Sequence, residues 1–427
     1  MATLTDDIRG QKGNKVGRRE EMDDQARAIG QRVRYWRLRR NLGRQRFADM
    51  VGRSTSWLDK VETGERLLLR LPMLDRVAAV LDIDASVLTD SSAAQRAANC
   101  VDTAEVQAIK AALGRYVIFH TPNTDQRAFS RKTIENQLAY VEHAWSLSNF
   151  TVVSRYLPRL LADAQSFALA ASAADQITAH RMLVISYKLA SSMLMKFDAN
   201  DIAWLAADRA MQTALVIDDT VALARATRSV ARAMSRSGQR ADAVTALIGM
   251  ADRIRPELAD REHELLSLFG MLFLAASTTA AAQDDAALTL AMHEEAAEAA
   301  DRMGPHHDSH QTSFGRANVA VHRVAALVRL HEGGRAVEYA QRIDPTLTAT
   351  LPPERKASYL LDLAKAHTHI GRYDDATRTL AQAEHVAPEE VRCRPLAHGL
   401  LRSLLDTTSG ESSRILRQMA ARAGVTA

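Results

Sequence analysis

From about Thr103 to the end of the chain, apolar residues recur every three to four positions, in runs of about 12–20 residues divided by short turns. No run alternates in the way a strand requires. A helix with one apolar stripe must bury it against another helix, and short connections make sequential helices antiparallel neighbours. The chain is therefore expected to be all-α. Composition agrees: 74 of the 427 residues are alanine, with 10 prolines and 5% aromatics. Alanine is the best intrinsic helix former and proline interrupts helices. Helices are expected to begin near residues 104, 133, 151, 174, 199, 219, 240, 258, 283, 311, 333, 355, 373, 389 and 411. So many in one row suggest stacked helix pairs, a solenoid.

Several classes drop out. Two cysteines, Cys100 and Cys393, cannot form a disulfide framework or a thiolate zinc site. Residues 1–24 are polar and hold no apolar core, so no secretory signal is expected there. The most apolar stretch, Leu265–Ala282, is interrupted by Gly270, Ser267 and Thr278 and reads as a buried helix, not a membrane span. A cytoplasmic protein without membrane contact is the expectation. No phosphate-cradling glycine loop, nucleophile elbow or paired-carboxylate frame occurs, so neither an enzyme nor a cofactor is expected. His306, His307, Asp308 and His310 have some metal-ligand character, but Gly304–Pro305 puts them in a loop without a neighbouring Glu base. They are expected to be surface histidines, with no metal.

Charge is unevenly placed. Residues 1–90 carry 18 Lys+Arg against 14 Asp+Glu, while residues 91–427 carry 37 of each. Residues 25–48 hold eight arginines and no acid. A one-signed block on a small domain is the footprint of a polyanion partner. Residues 1–26 read as a flexible arm. Helical spacing begins near Ala28, with Ile29, Val33, Trp36 and Leu38 inward. Short helices follow over Arg44–Val51 (Phe47, Ala48, Val51 inward) and, capped by Ser54, to Thr63 (Trp57, Leu58, Val61 inward). A fourth uses Leu71, Leu74, Val77, Ala78 and Leu81, and a fifth Val87 and Leu88. The expected organisation is an arm over 1–26, a five-helix domain over 27–90, a linker over 91–102 and a helical array over 103–427.

Two short helices joined by a glycine turn, on a basic domain, suggest a helix-turn-helix. Leu42–Arg66 closely resembles the Xre/Cro-type DNA-binding repressors. The family's alanine falls on Ala48, its turn glycine on Gly52, its serine on Ser54, and its closing Glu-x-Gly on Glu62–Thr63–Gly64. Where the family usually has Gln early in the second helix, this chain has Arg44. The resemblance implies a double-stranded DNA operator and, because one recognition helix reads few bases, a homodimer. Arg53, Thr55, Ser56, Asp59 and Lys60 are the candidates for base edges. Asp59, which repels phosphate, is expected to face a base or pair with Lys60. Arg37, Arg39, Arg40, Arg44, Gln45, Ser54 and Arg66 are the phosphate-side candidates.

Residues 359–388 closely resemble a tetratricopeptide repeat: Leu363–Ala364, Gly371, Tyr373, Ala376, Leu380, Ala383 and a terminating Pro388. A second copy spans Thr227–Pro256 with Val230–Ala231, Gly238, Ala243, Leu247 and Ala251, and has Arg240 in place of the turn aromatic. A helix-turn-helix head on such a tail resembles peptide-responsive regulators of Gram-positive bacteria and, more closely, actinobacterial regulators with tetratricopeptide tails. The resemblance implies a regulator that senses a peptide, small ligand or partner protein. Phe314–Gly315–Arg316, Asn318 and His322 resemble a segment of those tails, so Arg316, Asn318 and His322 are candidate ligand contacts. Arg225, Arg228 and Arg232 share a helix face and are candidates for the concave surface. His180, Arg181 and Tyr187 are weaker candidates for it. The alternative is a scaffold whose solenoid holds a partner protein, with only accessory DNA contact.

Overall fold

The computed structural model describes residues 5–40, 42–68, 70–98, 100–115, 130–304 and 312–425. The chain is all-helical, with no strand among the described residues. It divides into two compact units, Met1–Ala104 and Glu105–Ala427.

The first unit contains α1 (Thr5–Arg39), α2 (Arg44–Val51), α3 (Thr55–Glu62), α4 (Leu71–Leu81), α5 (Ser86–Thr89) and α6 (Ser91–Ala98). Its core joins Ile29, Val33 and Trp36 of α1 to Phe47, Val51, Leu58, Val61, Val77, Leu81 and Leu88. Two expected core residues lie outside: Leu38 is 59% exposed and Leu71 70% exposed. Leu38 falls two residues after Trp36, so it points to the opposite side of the helix. Leu71 is the first residue of α4, ahead of Pro72.

Two local devices fix α2 and α3. Gly52 follows α2 at φ 72°, a left-handed conformation that suits glycine. The Ser54 side chain then accepts the Trp57 amide at 3.2 Å and caps α3, as its sequence position predicts. Gly30 lets α1 lie against the end of α3: a Cβ there would meet the Val61 carbonyl oxygen at 2.1 Å.

Three expectations for this unit change. The arm is helical from Thr5, being the first part of α1. Lys, Arg, Gln and Glu are good helix formers, and α1 extends from a packed segment that has already formed its nucleus. The linker is not a linker: Ala94 and Ala97 of α6 pack on the core, and Asp102 receives Arg40 at 2.8 Å. The unit thus has six helices and runs on to Ala104.

The second unit begins within α7 (Thr103–Gly114). It continues with α8 (Arg131–Ser146), α9 (Phe150–Ala170), α10 (Gln176–Lys196), α11 (Asn200–Ile217), α12 (Thr220–Arg236) and α13 (Arg240–Ile254). Then follow α14 (Leu258–Ala281), α15 (Ala286–Met303), α16 (Arg316–Arg329), α17 (Gly333–Arg342), α18 (Pro345–Ala349) and α19 (Pro353–His369). The last are α20 (Tyr373–Val386), α21 (Pro388–Arg392), α22 (Pro395–Thr407) and α23 (Gly410–Ala423). Pro388, expected as a terminator, opens α21, a place where a missing N–H is harmless.

Most consecutive helices pack on one another, and several alternate helices also touch. Ala231, Ala243, Ala251, Ala364, Ala376 and Ala383 are fully buried between them, which lets the backbones approach. The apolar helix Glu264–Ala281 has the length and composition of a membrane span, but 89% of that window is buried inside the protein. It is the central core helix here.

The inner helices close on themselves. α8 packs on α10, α10 on α12, α12 on α14, α14 on α16, α16 on α19, and α19 returns to α8. Polar contacts hold the seam: Lys196 Nζ donates to Glu354 at 2.6 Å and to Glu390, and Glu389 accepts the Thr151 amide at 2.8 Å. The inner helices thus form a ring around a cavity.

Candidate functional site

In the first unit, burial sorts the basic residues. Arg37 is 4% exposed. Its guanidinium donates to Glu62 at 2.6 and 3.2 Å and to the Leu42 carbonyl at 2.8 Å. Arg40 donates to the carbonyls of Leu81 and Asp82 and lies near the Trp36 ring. Arg39 donates to the Cys100 carbonyl and lies 4.8 Å from the Trp36 ring centroid. All three were expected on the phosphate side. Instead they tie α1 to the rest of the unit, because a guanidinium has enough donors to hold several loop carbonyls at once.

A second group stays on the surface. Arg44, Gln45, Arg53, Ser54, Ser56, Lys60 and Arg66 are exposed, with Thr55 and Asp59 half-buried. Arg53, Ser54 and Arg66 border one shallow hollow with Asp49, Gly52 and Trp57. Gln45 donates to Asp49 at 2.9 Å. Asp59 pairs with Arg44 at 3.4 Å, not with Lys60 as expected. Asp59 and Lys60 are adjacent in sequence and diverge on the helix, whereas α2 brings Arg44 across to α3.

The second unit holds the larger site, a cavity of about 910 Å³ inside the ring. Most of the inner helices present polar residues to it, and α14 presents a mainly apolar face. α12 contributes Arg225, Arg228 and Arg232, and α16 contributes Asn318 and His322. These five expected ligand contacts come together in one place. Arg316 does not: it is 64% exposed and pairs with Asp301 at 2.7 Å. It stands two residues, or about 200°, around the helix from Asn318. His180, Arg181 and Tyr187 also lie outside the cavity lining. Arg181 pairs with Asp219 at 2.8 Å and Tyr187 is bonded to Gln165 at 3.1 Å.

The sequence reading missed Lys188 and Lys196 on α10 and Arg355 and Lys365 on α19. Their spacings, i/i+8 and i/i+10, put the members of each pair about 80° apart around the helix, so spacing gave no signal of a shared face. In all, eleven Lys and Arg line the cavity against three Asp and Glu. Glu354, one of those three, is already bound by Lys196 and by Arg355 at 3.0 Å.

Electrostatics follow from this crowding. Burial, with Arg225, Arg228 and Arg232 nearby, lowers Lys188 to about 8 although Glu142 opposes it. Burial and then Arg232 and Arg355 lower Arg228 to about 9, and Arg232 falls to about 10. Burial holds His322 well below its usual range, and Arg355 adds to the effect. Burial pushes the Glu354 carboxyl up, but Arg355 and Lys196 together outweigh it and hold it low. The unmatched buried polar atoms of the described residues include three in the cavity lining: Nε of Arg228, Nε of Arg394 and Oδ1 of Asn318. Asn318 is fully buried, and its Nδ2 reaches only the Met271 sulfur at 3.6 Å.

No group of side chains suited to a metal ion occurs among the described residues. The histidine-rich stretch His306–His310 lies outside them. Comparison with family models, curated proteins and solved structures finds no match.

Proposed function

We propose that this chain is a cytoplasmic, sequence-specific DNA-binding regulator that acts as a homodimer, with a second unit that binds a ligand and alters DNA binding. We read α2, the Gly52 turn and α3 as a helix-turn-helix, and α8–α20 as a tetratricopeptide-like array. The observation that carries the DNA reading is the division of labour on α3. Its apolar residues and Glu62 are locked into the core, while Arg53 just before it, Ser56 in its first turn and Lys60 in its last are left outside. The N-terminal part of a recognition helix is the part that meets base edges in the major groove. Arg44 and Arg66 flank it for phosphate contact. The closed ring favours a small ligand over an extended partner protein, since the cationic face lines a cavity.

Footprinting of the full chain on genomic fragments, at two salt concentrations, tests this. The expected result is a protected inverted repeat with half-sites about 34–36 Å apart and steep salt dependence. Arg53→Ala and Lys60→Ala should each weaken it, so that protection needs more protein. Equal protection of unrelated sequence by wild type and both variants would sink the regulator reading.

A further inference from the structure

We propose that the ring cavity binds a small organic polyanion of roughly nucleotide size, carrying phosphate or carboxylate groups, with Arg228, Arg232 and Asn318 as contacts. This names the ligand class of the sensing unit and rests on that reading.

Three independent observations converge. The first is charge: eleven cations face three acids in one cavity, in a segment whose overall balance is neutral. Like charges gathered in a poorly solvated space repel and lose hydration, so the arrangement disfavours folding unless an anion enters. The second is the unmatched polar groups. Arg228 Nε and the fully buried Asn318 Oδ1 line the cavity without a partner among the described residues. Guanidinium groups bind phosphate or carboxylate in a forked geometry, and an amide can read a donor or acceptor edge beside it. The third is size. About 910 Å³ falls within the range of small-molecule pockets. Arg225 to Arg232 spans seven residues, or about 10 Å of helix, so anionic groups that far apart are matched at both ends. Apolar walls from Met271, Trp145 and Tyr359 would take an uncharged portion. A metal cation is disfavoured by the same charge.

Calorimetry on the full chain, without DNA, tests the proposal with tripolyphosphate, ATP, citrate, adenosine and hexaglutamate. Saturable binding of one or more of the three small anions is expected, with none for adenosine. Tripolyphosphate and ATP against citrate separates a phosphate ligand from a carboxylate one. Arg228→Gln and Arg232→Gln should each weaken binding at least tenfold. Arg44→Ala with Arg53→Ala, outside the cavity, should leave it unchanged. Both cavity variants should melt a few degrees higher than wild type without ligand, because they relieve repulsion. Absence of saturable binding would overturn the proposal. So would retention of affinity in both cavity variants, loss only in the Arg44/Arg53 variant, or hexaglutamate outcompeting every small anion. Because DNA is absent, failure of the regulator reading shows only in the footprint, and failure of the cavity assignment only here.

Discussion

Among single residues, the decisive distinction is between arginines that hold the fold and arginines that face outward. Arg37 and Glu62 form a buried, two-point ion pair. Removing one partner strands the other charge. Arg37→Ala should therefore destabilise the first unit by about 3–5 kcal/mol in urea denaturation. Arg53→Ala, on the surface, should stay within about 0.5 kcal/mol of wild type yet weaken operator binding by about 1–3 kcal/mol. A stability loss for Arg53→Ala equal to that for Arg37→Ala would refute the assignment. Titration in the second unit has a definite sign. His322 keeps its proton less readily folded than unfolded, so the unfolded chain gains protons first as pH falls below about 6.5. Stability is lost on acidification, and His322→Gln should flatten that part of the Tm profile. Lys188, at about 8 when folded, loses its proton before the unfolded chain does. Stability should climb from about pH 8 to about 10.5, and Lys188→Met should remove the climb.

For elements, local chemistry sets where helices start and tertiary packing sets which face is used. Helix starts expected from periodicity fall within five residues of those observed for α7–α17, α19–α21 and α23. The short α18 had no separate signal, because so few turns show no period, and the start of α22 at Pro395 was not separated from α21 just before it. The Ser54 cap was legible because it acts within three residues. Ser54→Ala should cost about 1 kcal/mol of stability, read by thermal melting of the full chain. Gly30 was not legible, since its role depends on the Val61 carbonyl of another helix. Leu71 fits the apolar stripe of its helix yet is exposed, whereas Leu38 is exposed because it lies off the stripe. The stripe predicts a face, but the partner's extent decides how much of it is covered. On α16 the same logic separates Asn318 and His322, one turn apart and inside, from Arg316, on the far side and paired with Asp301.

Across the whole molecule, the two units differ in how much of their candidate chemistry sequence could reveal. The α2–α3 segment is contiguous, so its exposed polar set could be named almost completely. The cavity is assembled from six inner helices spread from α8 to α19, and its seam joins Lys196 to Glu354 across 158 residues. Lys196→Met leaves Glu354 and Glu390 buried without that cation. It should destabilise the second unit by about 3–5 kcal/mol in urea, with partial recovery in Lys196→Met combined with Glu354→Gln. Unchanged stability in the single variant would mean that the seam does not hold the ring. The sequence by itself determined that the chain is all-α, where most helices begin, and which arginines share a face on α12. Each of these depends on periods and caps that act within one helix. Only the tertiary structure decided that a segment with equal numbers of acids and bases gathers its cations around one cavity. Helix period tells which residues share a side, but charge segregation depends on which sides of distant helices meet.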